Sequence, residues 1–180
     1  MVLLSMDARM DMEKEESEKR KFLYDFAKSI YSEELTRFKA LEDKAARYFG
    51  FLSILIGTLT LFIRLSEHKL ISDLEGPLSW LYLAATVLTY ATIINSGRLL
   101  FEVLKPRLLA LIDLSSELKD YYSNQPLNKI YTEIVDDLME ATKEARIINN
   151  EKCTHINNAH REIGASLVFF TILITIHFLL

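Results

Sequence analysis

Three stretches of this chain are long, apolar and free of charge, and they restrict the fold more than any other feature. Tyr48–Ile63 (YFGFLSILIGTLTLFI) has no charge before Arg64 and makes 18 residues when extended to Leu65. That is about 27 Å of helix at 1.5 Å per residue, against a hydrocarbon layer of about 30 Å. Leu78–Gly97 gives 20 uncharged residues, and Ile163–Leu180 gives 18 with His177 as its one ionisable group. The alternative is three core helices of a soluble bundle, but such helices repeat a charge every three or four residues on one face. None of these runs does. They are therefore read as membrane spans at 48–65, 78–97 and 163–180, with Trp80 and Tyr82 suited to an interfacial belt.

The rest of the composition fits this division. Half of the 180 residues are hydrophobic while 26% are charged, and the two classes occupy separate segments. Five Gly and three Pro are too few for a turn-rich β sandwich, and one Cys excludes an internal disulfide framework and a multi-Cys metal site. A net charge of −4 argues against a surface coated for nucleic acid, though not against a local basic site. Met1–Ser5 is too short an apolar segment to read as a signal peptide.

Charge orients the spans. Residues 1–47 carry ten Lys and Arg, residues 98–162 carry nine, and Ser66–Pro77 carries Lys69 alone. The positive-inside rule places 1–47 and 98–162 in the cytoplasm and the short loop 66–77 outside. The N-terminus is then cytoplasmic and the C-terminus outside.

The cytoplasmic segments read as helix. Met10–Arg47 has no Pro or Gly, and Phe38, Leu41, Ala45, Tyr48 and Leu52 carry a 3–4 spacing into the first span. A stripe through Leu100, Val103 or Leu104, Leu108, Leu111 or Ile112, and Leu118 follows the second span, with Pro106 expected to kink or restart the helix. Ser123–Pro126 is the clearest turn. From Leu127 an apolar seam through Ile134, Leu138, Ala141, Ala145, Ile148, Ile156, Ala159 and Ile163, interrupted at Lys152, runs into the third span. The expected fold is an all-α membrane protein with three transmembrane helices and cytoplasmic helical extensions that form a stalk or bundle. A lone seam is unstable in water, which points to partner helices from this chain and to a homo-oligomer.

The sequence holds no nucleophile–base set, no phosphate loop and no compact metal-ligand spacing, so no catalytic residue, metal or cofactor is expected, and no enzyme. Cys153, His155 and His160 read as a small thiol and two interfacial imidazoles. Two polar stripes are candidates for binding or conduction. On the second span Ser79, Tyr82, Thr86, Thr89, Thr92 or Ile93, and Ser96 share a face, with Asn95 at its cytoplasmic end. Polar residues in a span face protein or water, so Thr86, Thr89, Thr92, Asn95 and Ser96 either line a pore or bond helix to helix. On the first span Gly50, Ser53, Gly57 and Thr60 form a small-residue face that permits close helix approach. On the last long helix Lys143, Arg146, Asn150, Asn157 and His160 form a stripe opposite the seam, flanked by Asn149, Lys152 and Asn158. Lys and Arg suit phosphate and Asn suits a base edge or hydroxyl. The same residues equally suit a solvated face or polar layers that set a coil's register.

Phe38–Thr58 (FKALEDKAARYFGFLSILIGT) has an acidic-Lys-Ala segment, Asp43, Lys44, Ala45 and Ala46, leading straight into a Gly-containing span. A brief loop, a second span and a cytoplasmic helical region follow. This layout resembles the small membrane effectors of bacterial anti-phage systems, the SLATT-type and Pycsar effectors. The third span brings it nearer the channel-like effector of the Hailong system. The resemblance implies a membrane effector that senses a nucleotide or oligonucleotide made by a partner nucleotidyltransferase and compromises the membrane as a pore. It assigns no ligand-binding residue. The alternatives are a non-conducting membrane-anchored scaffold and a small subunit of a larger membrane complex.

Overall fold

The structure, a computed structural model, describes residues 2–70, 77–107 and 116–179, with side chains at 12, 14–65, 77–107 and 120–179. Four helices account for nearly all of it: α1 (Val2–Leu70), α2 (Pro77–Leu104), α3 (Ser116–Ser123) and α4 (Leu127–Leu179). There is no strand among the described residues. Three of these helices are long and apolar enough to cross a membrane.

The helix ends follow the breakers. Lys105 N donates to the Phe101 carbonyl at 2.9 Å, and α2 stops before Pro106. α3 ends at Ser123, where the amides of Asn124 and Gln125 close onto the Tyr121 and Tyr122 carbonyls. Pro126 supplies the first acceptor of α4 to the Lys129 amide at 2.9 Å, since Pro is well placed to start a helix. Two boundaries differ from expectation. α1 begins at Val2, eight residues before Met10, and it runs on to Leu70, past the expected end of the first span at Leu65. No Pro or Gly stands in either extension to stop it. Residues 71–76, and Leu108, Leu111 and Ile112 of the expected stripe, lie outside the described residues, as does the side chain of Leu118.

Buried positions fall seven apart. On α4, Leu138, Ala145, Lys152, Ala159, Ser166 and Leu173 are all buried, and so are Thr142, Asn149, Ile156 and Ile163. On α2, Tyr82, Thr89 and Ser96 keep the same period beside Ile93 and Leu100. α1 repeats it through Ala45, Leu52 and Leu59. A seven-residue repeat is the signature of helices that pack at small angles with side chains in facing holes.

The chain divides into two compact units. One comprises Met1–Phe38 with Arg107–Asn149. Within it the Arg20 guanidinium donates to the Asn128 carbonyl at 3.0 Å and to Thr132 Oγ1 at 3.1 Å, and the Tyr24 and Tyr131 rings lie 5.6 Å apart. The other comprises Lys39–Pro106 with Asn150–Leu180. Within it Leu52, Leu55, Leu59, Tyr82, Ala85, Ile93, Leu100, Ile156, Ile163 and Leu173 form one apolar core. At one end Tyr48 Oη lies 3.3 Å from His160 Nδ1, and towards the other Phe62 packs on Phe170 and His177. In each unit, contacting residues rise together along α1 and α4, so these two helices run parallel.

The outward faces of the second unit are apolar too. Ile54, Leu61, Trp80, Ile94, Val168 and Phe178 are all exposed. Helices apolar all round suit a membrane rather than water. On the small-residue face of the first span Gly50, Ser53, Gly57 and Thr60 are exposed: a methyl group added at Gly50 or Gly57 would meet open space, while Thr60 Oγ1 reaches Tyr90 Oη of α2 at 3.4 Å. The branched side chains of Leu52, Leu55 and Leu59 fill the interior instead, because they bury more apolar surface per residue.

Candidate functional site

Among the described residues of the first unit, a cluster of polar side chains forms around Glu34. This residue occupies a seam position of α1, seven beyond buried Ala27, and it is only 8% exposed. Its Oε1 accepts from Arg146 Nε at 2.9 Å, and its Oε2 and its main-chain carbonyl both accept from Asn149 Nδ2 at 2.9 Å. Arg37, one turn along α1, brings a second guanidinium to 3.6 Å from Oε2. Burial pushes the Glu34 carboxyl up. The hydrogen bonds from Asn149 and Arg146 and the charges of Arg37 and Arg146 outweigh it, and hold the pKa below its ordinary value. Asn149 is fully buried, and its Oδ1 has no partner among the described residues. With two acceptors facing Nδ2, the amide cannot be turned round to satisfy Oδ1 without losing both.

The second unit has its own polar contacts. Lys152, 1% exposed, donates from Nζ to Glu42 Oε1 at 2.6 Å. His160 stacks on Tyr48 with ring centres 5.8 Å apart. Asn95 Nδ2 donates to Glu162 Oε1 at 2.9 Å.

The stripe expected for ligand binding is thus divided. Arg146 and Asn149 converge on Glu34, His160 is engaged with Tyr48 in the other unit, and Lys143 and Asn150 are exposed. Asn157 Nδ2 lies 3.8 Å from Cys153 Sγ. Asn149, expected at the edge of an exposed face, is a seam residue, and Lys152 is buried at the seam position it was expected to interrupt. Ile148 is only half buried, so Asn149 takes the inward position beside it.

The second-span stripe does turn inward. Ser79, Tyr82, Thr89 and Ser96 are buried, and Thr86, Thr92 and Asn95 are half buried. Its threonines are served by their own helix: Thr86 Oγ1 donates to the Tyr82 carbonyl, Thr89 to Ala85 and Thr92 to Leu88 and Thr89, all at 2.7–3.0 Å. Tyr82 Oη and Ser96 Oγ are buried with no partner among the described residues.

Sequence reading missed Glu34, Arg37, Glu42, Tyr48 and Glu162 as partners. The signal for Glu34 was present: Ala27, Glu34, Leu41 and Tyr48 are seven apart, so a charge sat in register with the apolar seam. No group of three or more metal-ligating side chains gathers among the described residues. Family models, curated protein sequences and solved structures offer no match to this chain.

Proposed function

We propose that this chain is a bacterial inner-membrane effector of anti-phage defence that forms an ion channel or pore as an assembly of several copies. A nucleotide or oligonucleotide made by a partner nucleotidyltransferase controls it. The N-terminus is cytoplasmic and the C-terminus outside.

One observation carries this reading. The Glu34 carboxylate occupies a guanidinium and an amide, the same donors that a ligand's phosphate and base or sugar would recruit. A phosphate that displaces Glu34 from Arg146 frees one helix from the other within that polar unit. Since α1 and α4 are each unbroken into their apolar halves, a change at Glu34 biases the population of closed and open packings of the spans. The small-residue face at Gly50 and Gly57, open in the single chain, supports close approach of neighbouring copies.

The test is ion flux through the purified protein in liposomes, with and without cyclic nucleotides and short oligonucleotides. Flux that answers to one ligand, lost in Arg146→Ala with assembly intact, supports the reading. Unchanged ligand dependence in that variant removes Arg146 from the site. A Thr89→Leu variant with altered conductance would identify the α2 stripe as a pore wall.

A second reading is a non-conducting scaffold. It is favoured by the exposed side chains of Phe22, Leu23 and Phe26 on the polar half of α1, where two of the rings stack 6.3 Å apart. An exposed aromatic patch of this kind suits a protein partner. Absence of flux under every condition, from folded protein, would select the scaffold.

A further inference from the structure

The second unit contains a cavity of about 500 Å³ between α2 and α4, lined by Asn95, Leu99, Asn158, Arg161, Glu162 and Ala165. Its place along the two helices is specific. Asn95 stands two residues from the end of the second apolar run, and Arg161 and Glu162 immediately precede the third. In a chain whose apolar runs cross a membrane, these residues lie at the depth of the lipid headgroups, just outside the hydrocarbon.

The charges of the wall are unusual for a phosphate site. Adjacent residues of α4 put one guanidinium and one carboxylate on the same cavity. Arg161 is exposed and has no ion-pair or hydrogen-bond partner among the described residues. Glu162 is half buried, with Oε1 held by Asn95 Nδ2 at 2.9 Å and Oε2 unpartnered among the described residues. Asn95 therefore fixes the carboxylate in the wall and leaves one oxygen for a donor. Asn158 adds an amide one turn from Arg161 and Glu162, and Leu99 and Ala165 add an apolar side.

A polyanion would meet the Glu162 charge as well as the Arg161 charge. A lone cation would meet the reverse conflict. A zwitterion satisfies both. We propose that this cavity binds the headgroup of a zwitterionic phospholipid bearing a primary ammonium, with the phosphate on Arg161 and the ammonium on Glu162. The acyl chains pass along Leu99 and Ala165 into the bilayer. The primary ammonium matters because its N–H groups can hydrogen-bond the free carboxylate oxygen, which a quaternary ammonium cannot do.

The experiment uses the full chain in mild detergent. Phosphatidylethanolamine, phosphatidylcholine and phosphatidylglycerol with identical acyl chains compete for it, and retained lipid is counted by native mass spectrometry. Wild-type protein should retain phosphatidylethanolamine about fivefold over either rival, the ratio that one partly exposed charge-assisted contact of about 1 kcal/mol supplies. Glu162→Gln, which can still accept from Asn95, should abolish the preference over phosphatidylglycerol. Arg161→Ala should lower retention of phosphatidylethanolamine, and Arg161→Lys should restore part of it. Ala165→Leu, which fills the cavity without touching its charges, should lower retention of bound lipid.

Soluble glycerophosphoethanolamine, which carries the same headgroup without chains, separates the two sources of this chemistry. Failure to displace the lipid at equal concentration supports a membrane-derived ligand. Displacement at equal concentration assigns the site to a soluble ester and overturns the lipid assignment. The proposal also falls if phosphatidylglycerol is retained as well as phosphatidylethanolamine, or if Glu162→Gln leaves the ranking unchanged. None of these readouts involves ion flux, so the outcome is separate from that of the channel reading.

Discussion

The two units share one helical period and hold their helices together by different means. In the unit of Met1–Phe38 and Arg107–Asn149, the buried apolar side chains among the described residues are Ala27, Leu138, Ala141 and Ala145, three of them alanine. Beside them Glu34, Thr142 and Asn149 are equally buried. In the unit of Lys39–Pro106 and Asn150–Leu180, the interior also holds three alanines, Ala45, Ala85 and Ala159, but sets them among eleven Leu, Ile, Val and Tyr side chains, with Lys152 and its partner Glu42 near its polar edge. An alanine seam lets helices come close but buries little, at about 0.8 kcal/mol per CH₂ group. The hydrogen bonds of Glu34 then determine which residues face each other. A leucine seam sets that by shape. The same seven-residue spacing can thus be held by directional bonds or by packing, and the two should respond differently to mutation and to pH.

The largest break in this contrast is expected at the polar edge of the packed unit. Glu42→Ala takes the carboxylate partner from the buried Lys152 ammonium and should lower stability by about 3 kcal/mol. Thermal unfolding in detergent measures the loss, and the Glu42→Ala/Lys152→Met double variant should regain most of it. A double variant no more stable than the single would assign the loss to something other than the broken Glu42–Lys152 pair. Leu100→Ala, in the same interior, should cost about 2–3 kcal/mol by leaving a cavity. Hydrogen exchange should report that loss in α2 and in the helices packed on it, not around Glu34.

Asn149→Ala tests the other unit and should cost about 1–2 kcal/mol, because the Glu34 carboxylate loses a buried donor. Here pH adds a signature. The folded-state pKa of Glu34 is lowered, so its contribution is complete above the ordinary carboxylate value of about 4.3 and is lost as pH falls through the lower folded-state value. Asn149→Ala should reduce that acid sensitivity by moving the folded pKa back towards ordinary. Stability profiles of variant and wild type that stay parallel below pH 5 would show that Asn149 does not stabilise the ionised form. The smallest effect is expected from Thr89→Val, under about 0.5 kcal/mol, since that hydroxyl serves only its own helix.

Much of the fold was legible. Charge-free runs located the apolar parts of three helices, Pro106 and Ser123–Pro126 located the breaks, and 3–4 spacing identified Leu138, Ala145, Ile156, Ala159 and Ile163 as seam. What spacing could not supply was a choice between faces of equal period. The first span has a small-residue face and a leucine face, and only packing against the other helices turns Leu52, Leu55 and Leu59 inward and leaves Gly50 and Gly57 outside. The polar partners were hidden for a related reason. Lys152 stood out as an interruption of the seam, but Glu42 lies 110 residues away in sequence, and a single helical pattern carries no record of what another helix presents. Arg146 was visible as a candidate for a phosphate and Asn149 for a base edge or hydroxyl. The anion already beside them, Glu34, came to light only with the fold.

The threonines of α2 have a mechanical consequence. Thr86, Thr89 and Thr92 spend their hydroxyl protons on carbonyls of their own helix. Where spans are stitched by hydrogen bonds, each bond acts as a detent: to rotate or slide is to break it first, in a medium with no water to replace it. These three residues set no such detents. Along that part of α2 the Tyr90 Oη contact with Thr60 Oγ1 of α1, at 3.4 Å, and the fit of side chains into facing holes resist movement, and the helix can turn or slip by a fraction of a step without any of these three hydroxyls changing its partner.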